Sequence, residues 1–206
     1  MQGASNTPHQ FYHPAFKHEN IFLLLVKAGA DVNFVYPEKL FKPALKDEDL
    51  DDDYLGSYDP KGEYLCTPLI NLIRQNPQNE TMRNNLIGLL EFGAKVDITD
   101  SDGRDPIMHA IMKDNEMVLK MIFDNKTQLK LNTNAQDKAG KSAVHYVINP
   151  VRYGSFENLE ILRLLNQQNY NLELKDSQGQ SPAYYASLQE SGVMLKELAK
   201  LTHQEN

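Results

Sequence analysis

The chain has 206 residues, 21 lysines and arginines against 28 acids, and a formal charge of −7. That length allows a substantial core in one or two domains, while the single cysteine, Cys66, excludes an internal disulfide framework. The longest apolar run, Ile21 to Val26, is too short to cross a bilayer, and the scattered lysines and arginines form no phosphate-binding stripe.

The opening, Met1 to Pro14, lacks the basic-then-apolar layout of a signal peptide, which points to an intracellular protein of nucleus or cytoplasm. Thr7-Pro8 is the first helix signal. A short side-chain oxygen accepts from the unpaired N–H groups of a helix's first turn, and proline in the next position is preset for helix. A second apolar stretch, IFLLLVKAGADVN (21–33), follows. Residues 35–64 then break the pattern, with four lysines against nine acids between Val35 and Leu65. Asp47 to Asp53 holds six of those acids, broken only by Leu50, and Tyr36, Phe41, Tyr54, Tyr58 and Tyr64 are scattered around them. This is no calcium loop: counted from Asp47 or Asp49, the sixth position is Asp52 or Tyr54, where glycine is needed.

The start signal recurs at Thr67-Pro68, Asp105-Pro106, Ser142-Ala143 and Ser181-Pro182, at steps of 38, 37 and 39 residues. Before each lies a polar turn with glycine near its tip: DPKG (59–62), DSDG (100–103), DKAG (137–140) and DSQG (176–179). Glycine permits positive φ there, and aspartate folds its side chain onto nearby backbone. After each start comes a short apolar stretch, such as PLINLI (68–73) or PIMHAI (106–111), then a polar break and a second apolar helix. Those second helices include NLIGLLEFGAKVD (85–97), MVLKMIFDN (117–125) and NLEILRLLNQQNYNLE (158–173). In the last, Leu159, Ile161, Leu162, Leu164 and Leu165 form one broad helical face. Recurrence at this period predicts stacked helix pairs sharing one apolar spine.

LLLVKAGADVN (23–33), LLEFGAKVD (89–97), NAQDKAGKSAVH (134–145) and KDSQGQSPAYYA (175–186) resemble the motifs of the ankyrin-repeat family, across nearly the whole chain outside 35–64. The resemblance implies an all-α fold: an ankyrin-repeat solenoid of about five helix-turn-helix repeats, with protruding β-turn or hairpin loops and one long acidic insertion. The repeats of this single domain would fall at about 5–34, 62–98, 99–134, 135–174 and 175–203. The family's T-P-L-H histidine stands only at His145. Gln10, Ile70, Met108 and Tyr184 replace it elsewhere, and His109 sits one position later. Repeats three and four lack the usual glycine after the second helix, and Asn169 stands in for it in the fourth. Residues 145–165 and 189–201 are also similar to ankyrin segments attached to poly(ADP-ribose) polymerases, which implies the non-catalytic arm of a larger enzyme.

No catalytic chemistry assembles from the remaining motifs. Gly140-Lys141-Ser142 ends like a phosphate-binding loop, but the leading glycine would have to be residue 135, which is Ala135. Cys66 with His145 or His109 lacks an acid at a spacing that would orient the base. His9, His13 and His18 could approach one helix face, yet Pro14 interrupts it and no cysteine joins them. The chain is expected to be no enzyme and to need no cofactor or metal.

If the repeats stack, the family pattern puts turns and first helices along a concave groove that meets a partner protein or peptide. The expected contacts are Arg74, Gln75, Arg104, His109, Met112, Lys113, Lys138, Lys141, Gln178, Gln180 and Gln189. Ser101, Asp102, Asn149, Ser177 and Leu188 stand beside them. His109 and Met112 are the most pointed of these, read as a displaced histidine and an exposed thioether. In the insertion, Asp49, Asp51, Asp52 and Asp53 would face a basic partner. Direct nucleic acid and membrane are not expected as partners, whereas other domains of the same full-length chain are.

Overall fold

A computed structural model describes residues 29–37, 65–75, 80–124, 129–148, 156–189 and 192–203. Two short strands, β1 (Tyr36–Pro37) and β2 (Leu65–Cys66), precede α1 (Pro68–Arg74), α2 (Glu80–Glu91), α3 (Pro106–Met112) and α4 (Glu116–Asp124). α5 (Ala143–Val147), α6 (Phe156–Gln167), α7 (Pro182–Ser187) and α8 (Val193–Thr202) complete the described helices. They pair as four hairpins, α1 with α2, α3 with α4, α5 with α6 and α7 with α8. Inner helices α1, α3, α5 and α7 pack side by side in chain order, and α6 packs on α8 in the outer row.

The inner helices begin where cap and proline predict. Thr67 Oγ1 accepts from Ile70 N at 3.2 Å, Asp105 Oδ1 from Met108 N at 2.8 Å, and Ser181 Oγ from Tyr184 N at 3.3 Å. Ser142 closes its start differently: its N–H donates to His145 Nδ1 at 3.1 Å, and its hydroxyl meets the same nitrogen at 2.9 Å. Gly93 (φ +85) ends α2 and Asn169 (φ +59) follows α6 in the left-handed region, so asparagine does stand in for glycine in the fourth repeat.

One apolar core runs from Val32 to Leu201 through every described hairpin. It is built from equivalent positions. Leu69, Ile107 and Val144 are buried in successive inner helices, as are Ile73 and Ile111, with Ile148 buried at the equivalent place as the C-cap of α5. The fifth repeat places Ala183 and Ser187 there, both exposed. Cys66 is fully buried against Ile70 and Phe34, the small packing residue that its place before a cap suggests.

β1 and β2 pair antiparallel, Tyr36 opposite Cys66 and Pro37 opposite Leu65. The pairing joins residues 36–37, at the start of the 35–64 stretch, to residues 65–66 just after it. Residues 38–64, with Asp49, Asp51, Asp52 and Asp53, lie outside the described residues, as do Thr7-Pro8, the histidines at 9, 13 and 18, and Asn149. Asn33 ties the first repeat to the second: its Nδ2 donates to Gly93 O at 3.0 Å and its Oδ1 accepts from Lys95 N at 2.8 Å.

Candidate partner-binding face

Each fully described turn is organised by its leading aspartate. Asp100 Oδ1 accepts from Asp102 N and Arg104 N at 2.8 and 2.9 Å. Asp137 Oδ1 accepts from Ala139 N and Lys141 N at 2.9 and 2.8 Å. Asp176 Oδ1 accepts from Gln178 N and Gln180 N, both at 2.9 Å. The second carboxylate oxygen reaches a ring nine residues on: His109 Nε2 to Asp100 Oδ2 at 2.7 Å, Tyr146 Oη to Asp137 Oδ2 at 2.5 Å, Tyr185 Oη to Asp176 Oδ2 at 2.6 Å. Turn and inner helix are thereby braced at a fixed angle in three successive repeats. The bond to Asp176 pushes the Tyr185 hydroxyl up to about 12, with burial adding to it.

The turns also hold one another. Ser101 N donates to Leu65 O at 2.9 Å, Lys138 N to Asp102 O at 2.9 Å, and Ser177 N to Ala139 O at 3.0 Å. These backbone bonds place the tips in one row beside the inner helices. His145 Nε2 lies 3.1 Å from Gln180 O in the next turn. Its Nδ1 already accepts from Ser142, so Nε2 carries the hydrogen and donates, and His145 links its own helix start to the following repeat.

Cations reach across the same joints. Arg104 Nε donates to Tyr146 Oη at 3.1 Å while Nη1 lies 3.2 Å from Asp102 Oδ2. One repeat later, at the equivalent position, Lys141 Nζ sits 5.6 Å from the Tyr185 ring centroid, within cation–π range.

The residues expected to meet a partner divide into three groups. Lys138, Gln178 and Ser177 are exposed at the tips, and Gln75 and Leu188 are exposed at inner-helix ends. Arg74, Arg104, Met112, Lys113, Lys141, Gln180 and Gln189 are half-buried, Gln189 donating to Ile148 O at 3.1 Å. His109 is interior, only 2% exposed, and does not stand on the surface. It is not a displaced T-P-L-H histidine. It fills the bracing position held by Tyr146 and Tyr185, nine residues after the turn aspartate. Burial lowers its pKa even against the pull of Asp100, so at neutral pH the ring is uncharged and Nε2–H donates to the carboxylate. Met112 is half-buried at the end of α3, not an exposed thioether. The bracing pairs escaped the sequence reading, although Asp100/His109, Asp137/Tyr146 and Asp176/Tyr185 share one spacing that alignment of the repeats could have revealed.

Ser142 is buried as a cap, and Gly140 and Lys141 belong to the turn, so the GKS run has a structural place. Among the described residues, no group of three or more His, Cys, Asp or Glu could hold a metal ion, and no helix is long and apolar enough to cross a membrane.

No family profile matches the chain. Among curated proteins it is 24% identical over 205 residues to FPV022 of Fowlpox virus (strain NVSL), described as an ankyrin repeat protein. The alignment takes in 86% of the chain, which spans about a third of that relative, 33% of its length. Among solved structures it is similar to an ankyrin repeat domain from Acinetobacter baumannii AYE, with a TM-score of 0.61 at 18% identity, covering 87% of this chain and 74% of the other. Neither relative bears on the likeness of residues 145–165 and 189–201 to poly(ADP-ribose) polymerase segments.

Proposed function

The chain folds as an ankyrin-repeat solenoid, and on that premise we propose that it is a non-catalytic protein–protein interaction module, engaging a partner protein or peptide along the turn row and inner helices. The backbone ladder through Leu65, Ser101, Asp102, Lys138, Ala139 and Ser177 carries this reading. It satisfies the turns through their backbone, so the side chains of Lys138, Ser177 and Gln178 stand exposed at the tips. Presenting such side chains in a row, already ordered, lowers the entropy cost of binding across several repeats.

The acidic run in the insertion is a second contact on this reading, facing a basic surface of the partner. Affinity capture from lysate tests both parts, using the parent chain, a Lys138→Glu/Gln178→Glu variant, and a variant with lysine at positions 47, 49, 51, 52 and 53. Loss of captured proteins with the tip variant supports the turn row, and loss with the lysine variant supports the insertion. Capture that both variants leave intact would refute the assignment. The same surface would serve a recruiting arm of a larger enzyme such as a poly(ADP-ribose) polymerase, whose partner is another domain of the same full-length chain. Capture of a separate protein by these 206 residues separates the two.

A further inference from the structure

We propose that His109 makes the third repeat's turn acid-sensitive: at neutral pH the ring braces residues 100–104 against α3, and in mild acid it takes up a proton and releases that turn, while tyrosines keep the fourth and fifth turns braced. The three braces are alike in place and differ in chemistry. His109 meets Asp100 at 2.7 Å, Tyr146 meets Asp137 at 2.5 Å and Tyr185 meets Asp176 at 2.6 Å, each ring nine residues after its aspartate. A phenol keeps its proton throughout the physiological range, whereas an imidazole changes charge near 6.5. The imidazole also has the most enclosed place. The side chains of His109 and Asp100 are 3% and 0% exposed, while Tyr146 and Tyr185 are half-buried.

Opening of the turn is what admits the proton. Inside the repeat, burial works against a charged ring, and the guanidiniums of Arg74 in α1 and Arg104 in the turn add to that, outweighing the attraction of Asp100. From α5, Tyr146 reaches this group through Arg104, whose Nε donates to its hydroxyl, and Asp102 pairs with the same guanidinium. Once the ring leaves the interior it takes its proton near the ordinary value of 6.5. The folded value lies below the open one, so the brace is fully stable above about 6.5 and weakens as pH falls below it. Asp105, the cap of the same helix, contributes in the opposite direction. Release reaches beyond the turn itself. Ser101 N donates to Leu65 O and Leu65 N to Ser101 Oγ, while Asp102 O accepts from Lys138 N, so the third turn ties β2 to the fourth turn. Freeing it interrupts the row of tips between them.

The test is native-state amide exchange on the whole chain, with protection factors for residues 100–104, 137–141 and 176–180 at about pH 7.5 and about pH 5.5. Protection of 100–104 should fall about tenfold between the two, the effect of one pH unit below an open-state value of about 6.5, and the other two turns should fall clearly less. His109→Tyr installs the ring used in repeats four and five, and His109→Gln keeps an N–H donor for Asp100 without titrating in this range. In both variants 100–104 should keep nearly the same protection at the two pH values. Asp105 and His145 are present in parent and variants, so their proton uptake cancels in the comparison. A fall shared by the variants, or no fall in the parent, overturns the proposal, as does an equal fall in all three turns, which is acid unfolding of the whole array. Should neither variant fold, NMR titration of the parent decides. The His109 ring signals should titrate below 6.5, and the amide signals of Asp102 and Arg104 should move with them. A ring that titrates at or above that value, or amides that do not follow it, overturns the proposal.

Discussion

Asp105 alone among the four described inner-helix caps is an acid, where Thr67, Ser142 and Ser181 supply hydroxyls. Burial pushes its carboxyl up to about 7, overriding the N–H groups of Met108 and Ile107 that favour the charged form. The unfolded chain releases that proton near its ordinary value of 3.8. Between these two values the folded state holds a proton that the unfolded state has lost, so stability falls as pH rises from about 4 to about 7 and levels off above. Asp105→Ser keeps an acceptor for Met108 N and cannot ionise. Its melting temperature should match the parent near pH 4 and exceed it by a few degrees at pH 7.5. A difference that stays constant with pH would show that no such proton is linked to folding. The cap itself was readable because capping is local: one side chain and the residue after it decide the helix start. The ionisation cost was not, since it depends on neighbouring repeats that exclude water from the site.

At the level of turn and helix, Gly140 and Gly179 make a matched pair. Both have left-handed φ, +75 and +77, so alanine at either pays the same backbone strain, about 1–2 kcal/mol. Their surroundings differ. A Cβ on residue 140 would lie 2.8 Å from Asp176 C and 3.0 Å from its Cα, whereas one on residue 179 meets nothing within 4 Å. Gly140→Ala should therefore lower the urea midpoint clearly more than Gly179→Ala, the difference isolating how closely the fourth and fifth turns approach. Equal midpoints would mean that these turns do not touch. The sequence reading found both glycines as turn formers, because DKAG and DSQG signal positive φ by themselves. It could not see that one of them also admits a neighbour's backbone. The bracing rings were hidden for a related reason: His109, Tyr146 and Tyr185 are different residue types, and their shared role appears only when a turn folds back nine residues onto its helix.

For the whole molecule, the decisive property is that each hairpin buries its apolar face only against its neighbours, in a core continuous from Val32 to Leu201. Stability in such an array is a sum of repeat and interface contributions, and position along it decides how a lost contact spreads. Ile111 and Leu198 are both buried, 1% and 3% exposed, and truncation of either to alanine costs about 2–5 kcal/mol. Ile111 sits in α3, packed between α1 and α5, whereas Leu198 belongs to the last hairpin, whose equivalents of Ile111 and Ile107 are Ser187 and Ala183. Ile111→Ala should therefore weaken the array at its middle and speed amide exchange on both sides, in α1 and α2 as well as in α5 and α6. Leu198→Ala should speed exchange in α7 and α8 and leave α1 to α4 nearly as protected as in the parent, because opening the end hairpin breaks one interface only. Exchange that accelerates equally in α1 and α8 for both variants would mean that the chain opens as one cooperative unit, and the additive description of the solenoid would fail.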